Sequence, residues 1–199
     1  VAAVSVPGVP VLLFGALPCV GGSSYQHMNW HIGPSTRTKI RKHRAIFAKL
    51  WRHFVIVAEA CWANGGHVAF EWPRSCLYWQ YRKVQNFLKR HGMVKYDFDG
   101  CMYNLRSVSK KNFGKPLKKP WTIASDVEDF WRIEARCVHD PSEHAHVEGV
   151  DTRLSEGYTD ELARGIHLCW SCSCSYWRSS LSSVVAFPPG GVSLQRRPL

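Results

Sequence analysis

The apolar positions fall into three kinds of pattern, and their order along the chain sets the first expectation for the fold. Residues 11–17 are an almost unbroken apolar run closed by Pro18-Cys19 and the turn residues Gly21, Gly22, Ser23 and Ser24. A short run of this kind, bounded by Pro and Gly, reads as a strand covered on both faces. Over 38–64 the pattern changes: Ile40, Phe47, Leu50, Trp51, Phe54, Val57, Ala58 and Cys61 recur at three- and four-residue steps, and Gly65-Gly66 follows. This is the spacing of an amphipathic helix stopped at its carboxyl end by glycine. Residues 67–71 form a second apolar strand, closed by Glu71 and stopped by Pro73. Helical spacing returns over 78–91 up to Gly92, and 93–99 then alternates as a strand does before the Asp99-Gly100 turn. A further short strand is expected at 120–125, with helices over 126–136 and from about 159 to 170.

Strand, helix, strand, helix, strand is the order of an α/β domain with right-handed crossovers. The expected fold is therefore a three-layer α/β sandwich, Rossmann-like, with a mainly parallel sheet that is incomplete at its N-terminal edge. In such sheets ligands bind past the carboxyl ends of the strands. Cys19, the polar loop to Ser35 and Glu71 all belong to that region. The domain is placed at 1–170, with residues 1–10 as an irregular lead-in and the Ser- and Cys-rich segment 171–199 as a poorly packed, low-complexity tail.

Charge changes the picture next. The chain has 199 residues, 45% hydrophobic, and a formal net charge of +11 that is unevenly placed. Residues 1–30 carry no Asp, Glu, Lys or Arg; residues 31–119 carry 19 basic against 4 acidic, and residues 126–164 carry 11 acidic against 4 basic. A basic middle suggests a polyanionic partner, most simply DNA, although a solvated helix face has the same composition. Lys39, Arg41, Lys42, Arg44, Lys49 and Arg52 give the helix at 38–64 its basic face. Trp72, Tyr78, Trp79 and Tyr81 beside Arg74, Arg82 and Lys83 would suit stacking on an unpaired base, and would equally suit a core. The eight cysteines are too irregularly spaced for a secreted disulfide scaffold. Several of them lie in apolar or helical context as buried free thiols do, so a reducing, intracellular compartment, nuclear in a eukaryote, is expected; no apolar run reaches the length of a membrane span, so no membrane partner is expected.

Two groups of residues carry candidate chemistry. The first is Cys19 with Glu71: a thiol after one strand and a carboxyl closing the next face a common crevice if the strands are neighbours. Pro-Cys after one strand, Glu at the end of the next and a long helix between resemble the DNA (cytosine-5) methyltransferase family. That resemblance implies Cys19 as the nucleophile that attacks the base and Glu71 as the acid that contacts the ring, with the target base extruded from the duplex. Two departures from the family pattern stand out: Val20 follows Cys19 where Gln is usual, and Glu71-Trp72-Pro73 stands for Glu-Asn-Val. The resemblance further implies that Lys118 and Lys119 of the basic loop 110–119 replace arginines near phosphate, alongside Lys115 and Arg74. S-adenosylmethionine is implied only together with an upstream half of the fold, since the chain begins at what would be the fourth strand. The resemblance also implies a place in a mobile genetic element. The expectation is a methyltransferase-like protein that is inactive as this fragment; a non-catalytic basic DNA-binding module and a translated gene fragment are the competing readings. The second group is Cys137, His139, His144 and His146, two pairs of ligands that could close around zinc, or a structural or solvated loop.

Overall fold

The computed structural model describes residues 10–184, with side chains apart from those of residue 154 and residues 175–184. Four strands form one sheet: β1 (Leu12–Gly15), β2 (His67–Pro73), β3 (Val94–Asp99) and β4 (Pro120–Ser125), in the order β1-β2-β4-β3. Between β1 and β2 lie α1 (Gln26–Asn29) and α2 (Pro34–Ala63), and between β2 and β3 lies α3 (Arg82–Arg90). After β4 come α4 (Val150–Leu154) and α5 (Asp160–Val184).

β1 and β2 are parallel, with Leu12 opposite His67 and Gly15 opposite Phe70. β4 runs antiparallel to both β2 and β3. The expected mainly parallel, Rossmann-like sheet is therefore corrected to a mixed sheet with one parallel pair. The reason lies in the connection from β3 to β4. Parallel neighbours need a long crossover, usually a helix. Residues 100–119 contain only the 3₁₀ turn Gly100–Tyr103 and a loop closed on itself by the bridge Arg106–Pro116. The chain returns as a wide hairpin, pairing Asp99 with Pro120, and inserts β4 between β2 and β3.

Alternation along β2 builds two cores. Val68, Phe70 and Trp72 face α2 and α3, where Phe47, Trp51, Phe54, Tyr78, Trp79 and Phe87 pack among them. Ala69 faces the other layer, with Ile123, Trp121, Phe98, Phe130, Ile133, Leu162 and Cys169. The three-layer α/β arrangement thus holds, with α5 and the 3₁₀ segment Glu128–Ile133 forming the second outer layer. That segment takes the place of the α-helix expected over 126–136.

α2 begins four residues earlier than its apolar pattern does, because Pro34 occupies a first-turn position where its missing N–H costs nothing. The helix ends at Ala63 with Asn64 as its C-cap, and Gly65 follows with φ 73°, a conformation that favours glycine. Trp72, Tyr78 and Trp79 are all buried, which assigns these rings to the core rather than to a stacking platform. α5 extends the helix expected to 170 through to Val184, into the segment expected to be a loose tail. The remainder of that tail, 185–199, and the lead-in residues 1–9 lie outside the described residues. Among the described residues no helix is long and apolar enough to cross a membrane.

Candidate functional site

Two separate clusters of reactive side chains lie at the carboxyl ends of the strands. The first is built on the parallel pair. Beyond β1 the chain makes a single 3₁₀ turn, Val20–Gly22, with Gly22 N donating to Cys19 O at 2.8 Å. The turn is pinned from three sides: Arg44 Nε donates to Gly21 O at 3.1 Å, Gln26 Nε2 to Val20 O at 2.8 Å and Trp72 Nε1 to Leu17 O at 2.9 Å. Gly22 lies so close to Tyr78 that a Cβ would meet the ring at 2.7 Å and Cys76 Sγ at 2.9 Å, so only glycine fits. This geometry fixes Cys19 beside the end of β2.

Glu71 lies on the face of β2 opposite to Trp72 and is only 8% exposed. Its Oε2 accepts from Tyr158 Oη at 2.8 Å, and its Oε1 has no hydrogen-bond partner among the described residues. Burial raises its carboxyl to about 7, against the lowering effects of the Tyr158 hydrogen bond and the Lys119 ammonium. The Cys19 thiol is also pushed up, first by burial and then by Glu71, while Lys119 opposes. A thiol activated for attack has its pKa lowered by positive charge or a helix N-terminus. One 3₁₀ turn supplies too little of either to offset burial, so Cys19 rests as a thiol.

The four residues expected at phosphate divide into two kinds. Lys115 and Lys118 are exposed. Their loop is ordered by Asp151, which accepts from Ser107 Oγ at 2.6 Å and Val108 N at 2.8 Å. Lys119 turns inward: its ammonium donates to Ser155 O and stands 5.0 Å from the Trp121 ring centroid, and burial lowers its pKa. Arg74 Nη2 donates to Asp99 Oδ1 at 2.6 Å. Both inward-turned cations thus have partners within the chain.

The second cluster lies beyond β3. Asp99 N donates to Ala135 O at 2.9 Å, and Phe98 bridges Ala135 in parallel, so residues 135–137 run along the edge of the sheet. Cys137 N then donates to Asp99 Oδ2 at 2.9 Å. Gly100, where a Cβ would meet Leu105 at 2.8 Å and Trp121 at 2.9 Å, lets the chain turn tightly into Cys101. The ligand atoms of Cys101, Cys137, His139 and His144 all lie within 4.8 Å of one another. Cys137 Sγ is 3.5 Å from His139 Nδ1 and 3.3 Å from His144 Nε2. This group could hold a metal ion. His146, expected as the fourth ligand, is exposed and lies outside the group; Ala145 is tied to Leu117 and Pro116 instead, and Cys101 supplies the fourth atom.

Sequence reasoning therefore found three members of this cluster and missed Cys101, although its position directly after the Asp99-Gly100 turn was the available signal. Tyr158 was missed as well, since nothing near it in sequence marks a partner for Glu71. The sequence matches no family model, no curated protein and no solved structure.

Proposed function

We propose that Cys19 and Glu71, beside the carboxyl ends of the parallel pair β1 and β2, belong to a base-binding site of the cytosine-5 methyltransferase-like kind, kept in a DNA-binding protein that does not itself transfer methyl groups. The observation that carries this reading is Glu71: a buried carboxyl whose pKa burial raises to about 7, so that the protonated form is well populated near neutral pH, with one oxygen held by Tyr158 and the other without a hydrogen-bond partner among the described residues. A neutral carboxyl both donates and accepts a hydrogen bond. That combination matches the ring N3 and exocyclic amine of cytosine. The thiol beside it argues against catalysis, because attack on the ring requires a thiolate and burial holds Cys19 protonated. The outward lysines Lys110, Lys111, Lys115 and Lys118 support contact with phosphates, and Phe113 on the same loop, 79% exposed, supports contact with an unpaired base.

The test is a binding titration with DNA carrying one unpaired cytosine or thymine. Binding is expected to be sequence-tolerant in the duplex and to weaken steeply with salt, since neutralised phosphates release counterions. The unpaired cytosine should bind more tightly than the thymine, Glu71→Leu should abolish that difference, and Cys19→Ser should leave it unchanged. Absence of binding at low salt, or equal affinity for the two unpaired bases, would sink the reading. Methyl transfer that disappears in Cys19→Ser would overturn the assigned inactivity.

A further inference from the structure

We infer that Cys101, Cys137, His139 and His144 form a closed, structural zinc site that clamps segment 135–144 to the carboxyl end of β3. The inference is independent of the base-binding proposal. Two thiolates and two imidazoles are the donor set of tetrahedral zinc, with Zn–S near 2.3 Å and Zn–N about 2.0–2.1 Å. A regular tetrahedron with those bonds has edges of about 3.3–3.8 Å. The separations of 3.5 Å and 3.3 Å from Cys137 Sγ to the two imidazole nitrogens fall on those edges.

The surroundings orient the ligands as metal sites require. His144 Nδ1 lies 3.2 Å from Asp140 O, a carbonyl that can only accept, so the proton is assigned to Nδ1 and the lone pair of Nε2 points to the cluster. Asp140 is itself held by a capping box: its side chain accepts from Ser142 N at 2.8 Å, and Glu143 Oε1 accepts from Asp140 N at 3.4 Å. On the other side Asp99 fixes Cys137 through its backbone N–H while pairing with Arg74 on the far side of β4. Arg74, Asp99 and Cys137 thus connect the end of β2 to the ligand loop. Four protein ligands leave no open coordination position for water or substrate, which makes the site structural rather than catalytic.

The experiment uses the full chain purified without chelator. Metal analysis should find one zinc per chain, and X-ray absorption should show two sulfur and two nitrogen neighbours at about 2.3 Å and 2.0–2.1 Å. Cys137→Ser and His144→Gln should each reduce the zinc content to near zero, while His146→Gln should retain the full complement. Because loss of a structural ion can unfold the first two variants, the wild-type spectrum and the His146 variant carry the decision by themselves. Substoichiometric zinc in the wild type, a shell without sulfur, loss of zinc in His146→Gln, or a Cys101–Cys137 disulfide in place of the metal would each overturn the inference.

Discussion

Both clusters contain cysteine, in different company, and the comparison shows what burial does to a thiol. Cys19 sits alone beside a carboxyl group; desolvation and the neighbouring negative charge both favour the thiol, and the single inward lysine, Lys119, does not reverse that. Cys101 is more deeply buried, and burial together with Cys137 raises its thiol to about 12. Yet its neighbours are two imidazoles and a second sulfur, a set that a divalent cation converts to ligands by displacing protons. The first arrangement stores a neutral hydrogen-bonding surface. The second stores a fixed point between β3 and the segment that pairs along its edge through Phe98, Asp99 and Ala135.

Chelation should separate the two regions most strongly. A site filled at a thousandfold excess over its dissociation constant adds about 4 kcal/mol to stability. Removing the ion should lower the melting temperature by roughly 10 °C for a chain of this size. Re-addition of zinc should restore it. Cys19 and Glu71 are not part of that cluster, so Glu71→Leu should melt with the same zinc-dependent increment. An unchanged melting temperature in chelator would show that the cluster does not contribute to folding.

The next effect belongs to Glu71 and depends on pH. The Glu71 carboxyl loses its proton near 4.5 when unfolded and at about 7 when folded, so between those values the folded chain holds a proton that the unfolded chain has lost. Stability must therefore fall as pH rises through that window, by up to about 3 kcal/mol. Glu71→Gln keeps the shape and removes the titration. The variant should match the wild type at pH 4 and exceed it at pH 8 in urea midpoint. A gap that is the same at both values would mean that Glu71 does not titrate in this range.

How far either region could be read in advance depended on sequence distance. Local spacing revealed α2, since each of its buried residues Ile40, Phe47, Trp51, Phe54, Ala58 and Cys61 lies on the expected stripe. The parallel pairing of β1 and β2 followed from the helix between them. The placement of β4 did not follow, because alternation of apolar residues identifies a strand without stating its direction or neighbours. Cys137, His139 and His144 were legible through their closeness in the chain. Cys101 reaches them only because residues 135–137 pair along the edge of β3, a tertiary event that no local pattern encodes. Tyr158 meets Glu71 for the same kind of reason, brought over the sheet by the segment leading into α5.

Tyr158→Phe should give the smallest of these effects and the most specific one. The phenol donates to Glu71 Oε2 at 2.8 Å, and its loss leaves a second oxygen of a buried carboxyl without a partner. A neutral hydrogen bond of this kind contributes about 1 kcal/mol, and one to a charged acceptor somewhat more. The Tyr158 bond also lowers the Glu71 pKa, so the variant should shift the pH-dependent loss of stability above 7. The destabilisation should therefore be small at pH 5, where the carboxyl is neutral in both proteins, and larger at pH 8, where only the wild type has a donor facing the anion. In the Glu71→Gln background the same substitution should lose its pH dependence while keeping a cost of about 1 kcal/mol. A Tyr158→Phe effect that remained pH-dependent in that background would place the titrating group elsewhere and remove Glu71 from the proposed base-binding site.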